Sequence, residues 1–116
     1  PAIAQECHKP LAHQAFSGLV VKVLDGDTVI LRTEACAGLH VRLADFSAAE
    51  RSERPAGPIA TAALTRIAQG RHVACTSVRG RYRSYQSYGR AIGLCFIGTV
   101  SLGDQLRAAG IPEGGR

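Results

Sequence analysis

The alternation of apolar and polar residues predicts three short β-strands in the first part of the chain. Two runs rich in β-branched residues, Ser17–Leu24 and Asp27–Thr33, flank an Asp-Gly pair at positions 25 and 26. Asp-Gly between two such runs is a strong signal for a hairpin turn. In the stretch Leu39–Ala44 every second residue is apolar. This predicts a third strand, with Arg42 on the face away from the main apolar set.

The second part of the chain predicts a helix, two strands and another helix. Pro58 lies near the first position of the first helix, which runs to Gly70, a good terminator. Strands follow at His72–Val78 and Arg90–Ile97, joined by a basic loop over residues 79–89. The last helix starts at Ser101, where Ser-Leu-Gly-Asp fits a capping box with Asp at its end, and stops at Gly110. The predicted apolar stripe of the first helix consists of Ile59, Ala63, Leu64, Ile67 and Ala68.

The order of these elements predicts the fold class. Five short antiparallel strands, with a helix between the third and fourth, are the plan of an OB-fold barrel, mainly β with two helices (α+β). We expect an N-terminal arm over residues 1–16, the barrel over residues 17–110 and a C-terminal tail over residues 111–116. At 116 residues the chain is long enough for one core and too short for two.

Charge and cysteine content indicate what kind of partner the protein has and in which compartment it works. The net charge is +5, and 12 of the 14 basic residues are arginine, whose planar fork suits phosphate, so we expect a polyanionic partner. No apolar run reaches membrane-spanning length, so we expect no membrane partner. Four cysteines without a Cys-x-x-Cys pair favour two disulfides over four free thiols, and hence a secreted or periplasmic protein. Of three possible connectivities we favour Cys75–Cys95 with Cys7–Cys36.

Three clusters carry candidate chemistry. Asp25 and Asp27 place two carboxylates across a tight turn, which repel each other unless a cation or a basic side chain lies nearby; a solvated turn is the alternative. The segment from Arg42 to Glu50 leaves the third strand. The loop of residues 79–90 interleaves arginines with every tyrosine of the chain, which favours contacts to phosphates and stacked bases over a charged solubility loop. The loop residues proposed for this role are Arg81, Arg83, Tyr85 and Tyr88.

Together these motifs resemble the staphylococcal nuclease (thermonuclease) family. The resemblance rests on Asp-Gly-Asp-Thr after a strand, Arg-Leu with Glu eight residues after the Arg, then a helix, then Tyr-Gly-Arg, and it covers residues 17–110. It implies an OB barrel that cleaves DNA and RNA phosphodiester bonds with Ca²⁺. It also implies that Glu50 activates water, that Arg42 and Arg90 hold phosphate, and that Tyr88 contacts the nucleotide.

The resemblance implies metal ligation by Asp27, with Asp25 assisting through water, but the sequence departs from the family at this corner. Ser47 stands where the family has a metal-binding aspartate, and Gln86 where it often has another aspartate. A local bulge would let Asp45 replace the missing ligand; a surface acid paired with an arginine is the alternative.

These departures leave three hypotheses. The first is a divalent-cation-dependent nuclease with altered metal use. The second is a non-catalytic barrel that binds nucleic acid or another polyanion. The third is a structural domain whose motif residues form salt bridges.

Overall fold

The computed structural model describes residues 13–78, 86–87 and 90–114. In these ranges the strands and helices, in chain order, are β1 (Ala15–Asp25), β2 (Thr28–Arg32), β3 (Leu39–Leu43), α1 (Ala56–Ala68), β4 (His72–Ser77), β5 (Gln86–Ser87), β6 (Arg90–Ile97), β7 (Val100–Ser101) and α2 (Leu102–Ala108).

Five of these strands close into a barrel. β1 pairs with β2 on one side and β4 on the other, β2 pairs with β3, and β4 pairs with β6. The barrel closes where β3 meets β6 in parallel, with Val41 opposite Ala91. The predicted OB-like barrel with two helices is therefore confirmed, but the prediction that all its strands are antiparallel is wrong. Four successive antiparallel pairs leave β3 and β6, the first and last strands of this order, running in the same direction. The pair that closes the ring must therefore be parallel.

The barrel core follows the predicted alternation. Val29, Leu31, Val41 and Leu43 are at most 1% exposed. Residues from both helices and from the loop after β3 complete the same cluster: Phe46, Ala60, Ala63, Leu64, Ala68, Leu102 and Leu106. Burying a branched aliphatic side chain contributes about 1.5–3 kcal/mol, so this shared cluster stabilises barrel and helices together.

The first helix differs from its prediction in start and in face. It begins at Ala56 rather than Pro58. Its inward face includes Ala60, whereas Ile59 is 52% exposed. A Cβ on Gly26 would lie 2.6 Å from the Ala60 Cβ, so only small residues fit where the helix meets the hairpin turn. Close backbone contact, rather than the size of the apolar side chain, decides which face is buried here.

Several further element bounds differ from the prediction, and two of the differences follow from strand pairing. β1 starts at Ala15, inside the predicted arm, because Ala15 and Phe16 pair with Thr76 and Cys75 of β4. The short strand β5 lies within the stretch predicted as loop and pairs with β6.

A disulfide joins Cys75 of β4 to Cys95 of β6, as predicted, with the two Cα atoms 4.0 Å apart. Cys36 is also disulfide-bonded; Cys7, its predicted partner, lies outside the described residues. In the described ranges, the helices are too short or too polar to span a membrane.

Candidate functional site

The acidic hairpin turn is ordered by its own side chains. The backbone N–H of Asp27 donates to Asp25 Oδ1 at 3.0 Å. The Thr28 hydroxyl donates to Asp27 Oδ1 at 3.2 Å. The Asp27 carbonyl accepts the Leu43 N–H at 2.8 Å, which joins the turn to the end of β3. Asp27 is only 1% exposed, so its carboxylate is part of the protein interior.

The Arg42 guanidinium lies beside this buried carboxylate. Its Nη2 atom is 3.4 Å from Asp27 Oδ2 and donates to Ser47 Oγ at 2.9 Å. Its Nη1 atom donates to the carbonyls of Leu43 at 2.6 Å and Phe46 at 2.8 Å. The planar fork is thereby held in one orientation, since four acceptors lie around its two terminal nitrogens.

Asp27 also holds the loop that leaves β3. Its Oδ2 atom accepts the Ala48 N–H at 2.8 Å. Burial, followed by the neighbouring Asp25 carboxyl, raises the pKa of Asp27 above its ordinary value, while Arg42 and the Ala48 N–H act in the opposite direction. Desolvation therefore outweighs the ion pair at this carboxylate, as is expected for a charge this deeply buried.

Arg90 reaches the same turn from β6. Its Nη1 atom donates to Thr28 Oγ1 at 3.2 Å. The parallel pairing of β3 with β6 places Arg42 and Arg90 on neighbouring strands, one reaching Asp27 and the other Thr28. The fold thus brings together Asp25, Asp27, Arg42 and Arg90, four of the residues selected from the sequence.

Glu50 lies in the middle of the loop between β3 and α1, two residues beyond Ala48, and is exposed. Its backbone N–H is 3.4 Å from Glu53 Oε1. A Cβ on Gly57 would collide with the Glu50 carbonyl, so the start of α1 packs directly against the Glu50 backbone. The backbone of this glutamate is therefore fixed by the start of α1, while its side chain lies at the surface.

Asp45 lies in a different environment. Its Oδ2 atom accepts the Ser101 hydroxyl at 2.7 Å, at the start of α2. The structure does not place Asp45 in a group with Asp25 and Asp27, because the loop after β3 turns this side chain toward the helix. The other proposed binding residues, Arg81, Arg83, Tyr85 and Tyr88, lie outside the described residues.

The oxygens around Asp27 that the resemblance assigns to calcium are engaged by the protein's own donors. Calcium takes six to eight oxygen ligands, often from several carboxylates. Both Asp27 oxygens accept hydrogen bonds from the protein, and the Ser47 hydroxyl accepts from Arg42. Among the described residues, no group of three His, Cys, Asp or Glu side chains is placed to hold a metal ion. The cation beside Asp27 is the guanidinium of Arg42.

Sequence reasoning gave no role to several contributors to the site, including the Leu43 and Phe46 carbonyls that hold Arg42. Thr28 connects Asp27 to Arg90, and Ala48 supplies a backbone donor to Asp27. Thr28 follows the acidic turn directly and could have been included on that ground. The role of Ala48 has no signal in its side chain, because only its N–H takes part.

In comparisons with known proteins, no protein-family model and no curated protein matches the chain.

Proposed function

We propose that the chain is a phosphodiester hydrolase acting on nucleic acid, with a site like that of the staphylococcal nuclease family but with altered metal use. The observation that carries the proposal is the convergence of Arg42 and Arg90 on the turn of Asp27 and Thr28. Two guanidinium groups from adjacent strands are a suitable set for holding a phosphodiester, and the loop after β3 carries an exposed glutamate, Glu50, that could activate water. The net charge of +5 supports a polyanionic substrate.

In this proposal, the protein's own side chains carry each step. Arg90, and Arg42 from its fixed position, stabilise the negative charge that develops on the phosphate oxygens. Glu50 accepts a proton from the attacking water, whose oxygen bonds to phosphorus as the ester bond breaks and the leaving oxygen takes a proton from solvent. Asp27 holds Arg42 and the Ala48 N–H, and through them the loop that carries Glu50.

The experiment is a cleavage assay on single-stranded DNA and RNA, with EDTA and with a panel of Ca²⁺, Mn²⁺ and Mg²⁺. Glu50→Gln should lower the rate by about 100-fold or more, a typical effect of losing a general base. Glu53→Gln is the matched control, because it removes the same charge from a neighbouring exposed position. Equal activity of the two variants would exclude Glu50 as the base.

A second candidate function is nucleic-acid binding without cleavage. The engagement of both Asp27 oxygens and of the Ser47 hydroxyl by protein donors favours it, because these oxygens already have partners among the described residues. It predicts salt-dependent binding of oligonucleotides, with no product under any cation. Cleavage by the wild type that Glu50→Gln abolishes would contradict it.

We further propose that the protein works in an oxidising compartment, secreted or periplasmic. The Cys75–Cys95 disulfide supports this setting, since such bonds are rare in reducing compartments.

A further inference from the structure

The loop of residues 45–48 is held from two sides. On the inner side, Arg42 binds the Phe46 carbonyl and the Ser47 hydroxyl, and Asp27 binds the Ala48 N–H. On the outer side the loop meets α2 and residues 111–114, which we call together the C-terminal clamp. The inner contacts belong to the site already described; the clamp does not.

Arg107 of α2 is the centre of the C-terminal clamp. Its Nη2 atom donates to the Asp45 carbonyl and to Glu113 Oε1 at 2.8 Å. Its Nη1 atom donates to Asp104 Oδ1 at 2.9 Å. The guanidinium carbon also lies 5.5 Å from the centre of the Phe46 ring, within the range of a cation–π contact. One side chain thus joins the start of the loop to α2 and to the segment after it.

Two further contacts complete the clamp. Ser101 donates its hydroxyl to Asp45 Oδ2 and accepts the Asp104 N–H at 3.0 Å, so the residue that caps α2 also anchors the loop. The Gly114 N–H donates to the Ser47 carbonyl at 2.6 Å. A Cβ on Gly114 would lie 2.6 Å from the Ala48 carbonyl oxygen, so this segment runs directly against the loop.

We propose that Arg107 is a positioning residue for the Arg42–Asp27 site, and that it acts through the loop of residues 45–48. Two of the carbonyl and hydroxyl groups that hold Arg42 belong to this loop. Ser47 is shared, because its hydroxyl accepts from Arg42 while its carbonyl accepts from the clamp. Release of the clamp therefore removes restraint from acceptors that orient the Arg42 fork. The consequence for ligand binding rests on the proposed function; the consequence for the loop does not.

The first test measures the loop itself, by amide hydrogen exchange. Arg107→Met should speed exchange of the Ala48 N–H by about tenfold, because charge-assisted hydrogen bonds to the loop are lost. Arg66→Met is the matched control, since Arg66 is an exposed arginine on α1 away from the loop. Arg107→Lys, which retains a charged donor, should give exchange between wild type and Arg107→Met. Exchange of the Ala48 N–H that is the same in Arg107→Met and Arg66→Met would overturn the proposal.

The second test measures binding of a phosphorothioate oligodeoxythymidine, whose backbone resists cleavage, by fluorescence anisotropy. We expect Arg107→Met to weaken binding about threefold more than Arg66→Met does. The two variants lose the same charge, and circular dichroism checks that both are folded. Equal weakening would overturn the role in ligand binding. Absence of binding by the wild type would instead contradict the proposed function, and the exchange result alone would then decide the role of Arg107.

Discussion

Arg42 and Asp27 form an ion pair between a partly buried guanidinium and a buried carboxylate. The two side chains are 18% and 2% exposed, and Nη2 lies 3.4 Å from Oδ2. Asp27 comes from the hairpin between β1 and β2, and Arg42 from β3, so the pair joins two parts of the barrel.

Removing the arginine of this pair should destabilise the protein strongly. Arg42→Met leaves the Asp27 charge buried without its cation, and breaking a buried pair in this way costs about 3 kcal/mol or more of unfolding free energy. Urea denaturation measures the effect, with Arg66→Met as a control that should stay within about 0.5 kcal/mol of wild type. Adding Asp27→Asn to Arg42→Met should recover part of the loss. A similar stability for the two arginine variants would show that the pair contributes little.

The raised pKa of Asp27 predicts how stability changes with pH. Because burial raises the folded-state pKa above 3.8, the folded state binds this proton more tightly than the unfolded state does. The stability that this proton contributes is therefore present below about pH 3.8 and is lost as the pH rises through the folded pKa. Asp27→Asn does not titrate there, so the free energy of unfolding of the variant should rise relative to wild type across this window.

The ion pair with Arg42 is already included in the folded-state pKa of Asp27, so its loss needs no separate correction. The remaining effect of replacing a protonated carboxyl with an amide is an offset independent of pH, because the amide does not titrate. Denaturation of both proteins at about pH 3 and about pH 7 gives the slope of the difference. A difference that stays constant, or that moves in favour of wild type as the pH rises, would contradict the raised pKa.

Gly26 is required by close packing at the acidic turn. A Cβ there would lie 2.5 Å from the Ala48 Cβ and 2.6 Å from the Ala60 Cβ. Gly26→Ala should therefore cost about 1–3 kcal/mol, the usual range for overpacking a core, as measured by thermal or urea unfolding. Gly38→Ala is a matched control, because a Cβ there meets a side-chain carbon at 3.5 Å, an ordinary contact. Ala60→Gly in the Gly26→Ala background should restore part of the stability; failure to do so would place the collision elsewhere.

Replacing Ser47 with a carboxylate tests whether this corner can bind a metal ion. Wild type should show the same melting temperature in Ca²⁺ and in EDTA, because the donors around Asp27 are already engaged by the protein. Ser47→Asp adds a second carboxylate beside Arg42 and Asp27, and we expect the melting temperature of this variant to rise with Ca²⁺. A cation at about 100 times its dissociation constant would stabilise the folded state by about 2.7 kcal/mol.

The control for this experiment is Ser52→Asp, which adds the same charge at an exposed position of the following loop. A calcium-dependent rise already present in the wild type would show that the corner accepts a metal ion despite its internal hydrogen bonds.

The local pattern of the sequence determined the main strands, the barrel and one disulfide of this protein. The alternation in residues 39–43 and the flanks of the Asp-Gly turn predict strands whose inward faces are buried as expected, because side chains on a strand alternate between two faces. The order of elements predicts the barrel, and the pairing of Cys75 with Cys95 follows from the two strands that carry them. The motifs, through the family that they resemble, select Asp25, Asp27, Arg42 and Arg90 for one site, together with Glu50 and Asp45.

Tertiary structure decided what those side chains do. The closing pair of β3 with β6 brings Arg90 to Thr28, although the two residues are 62 positions apart in the chain. Asp45 carries the same carboxylate group as Asp27, but it accepts a hydrogen bond from Ser101, the residue that caps α2. The Asp-Gly-Asp-Thr turn appears in the sequence as an open acidic corner. In the folded chain Asp27 is buried and its carboxylate pairs with Arg42, because burial and neighbours depend on contacts between distant segments that no local pattern records.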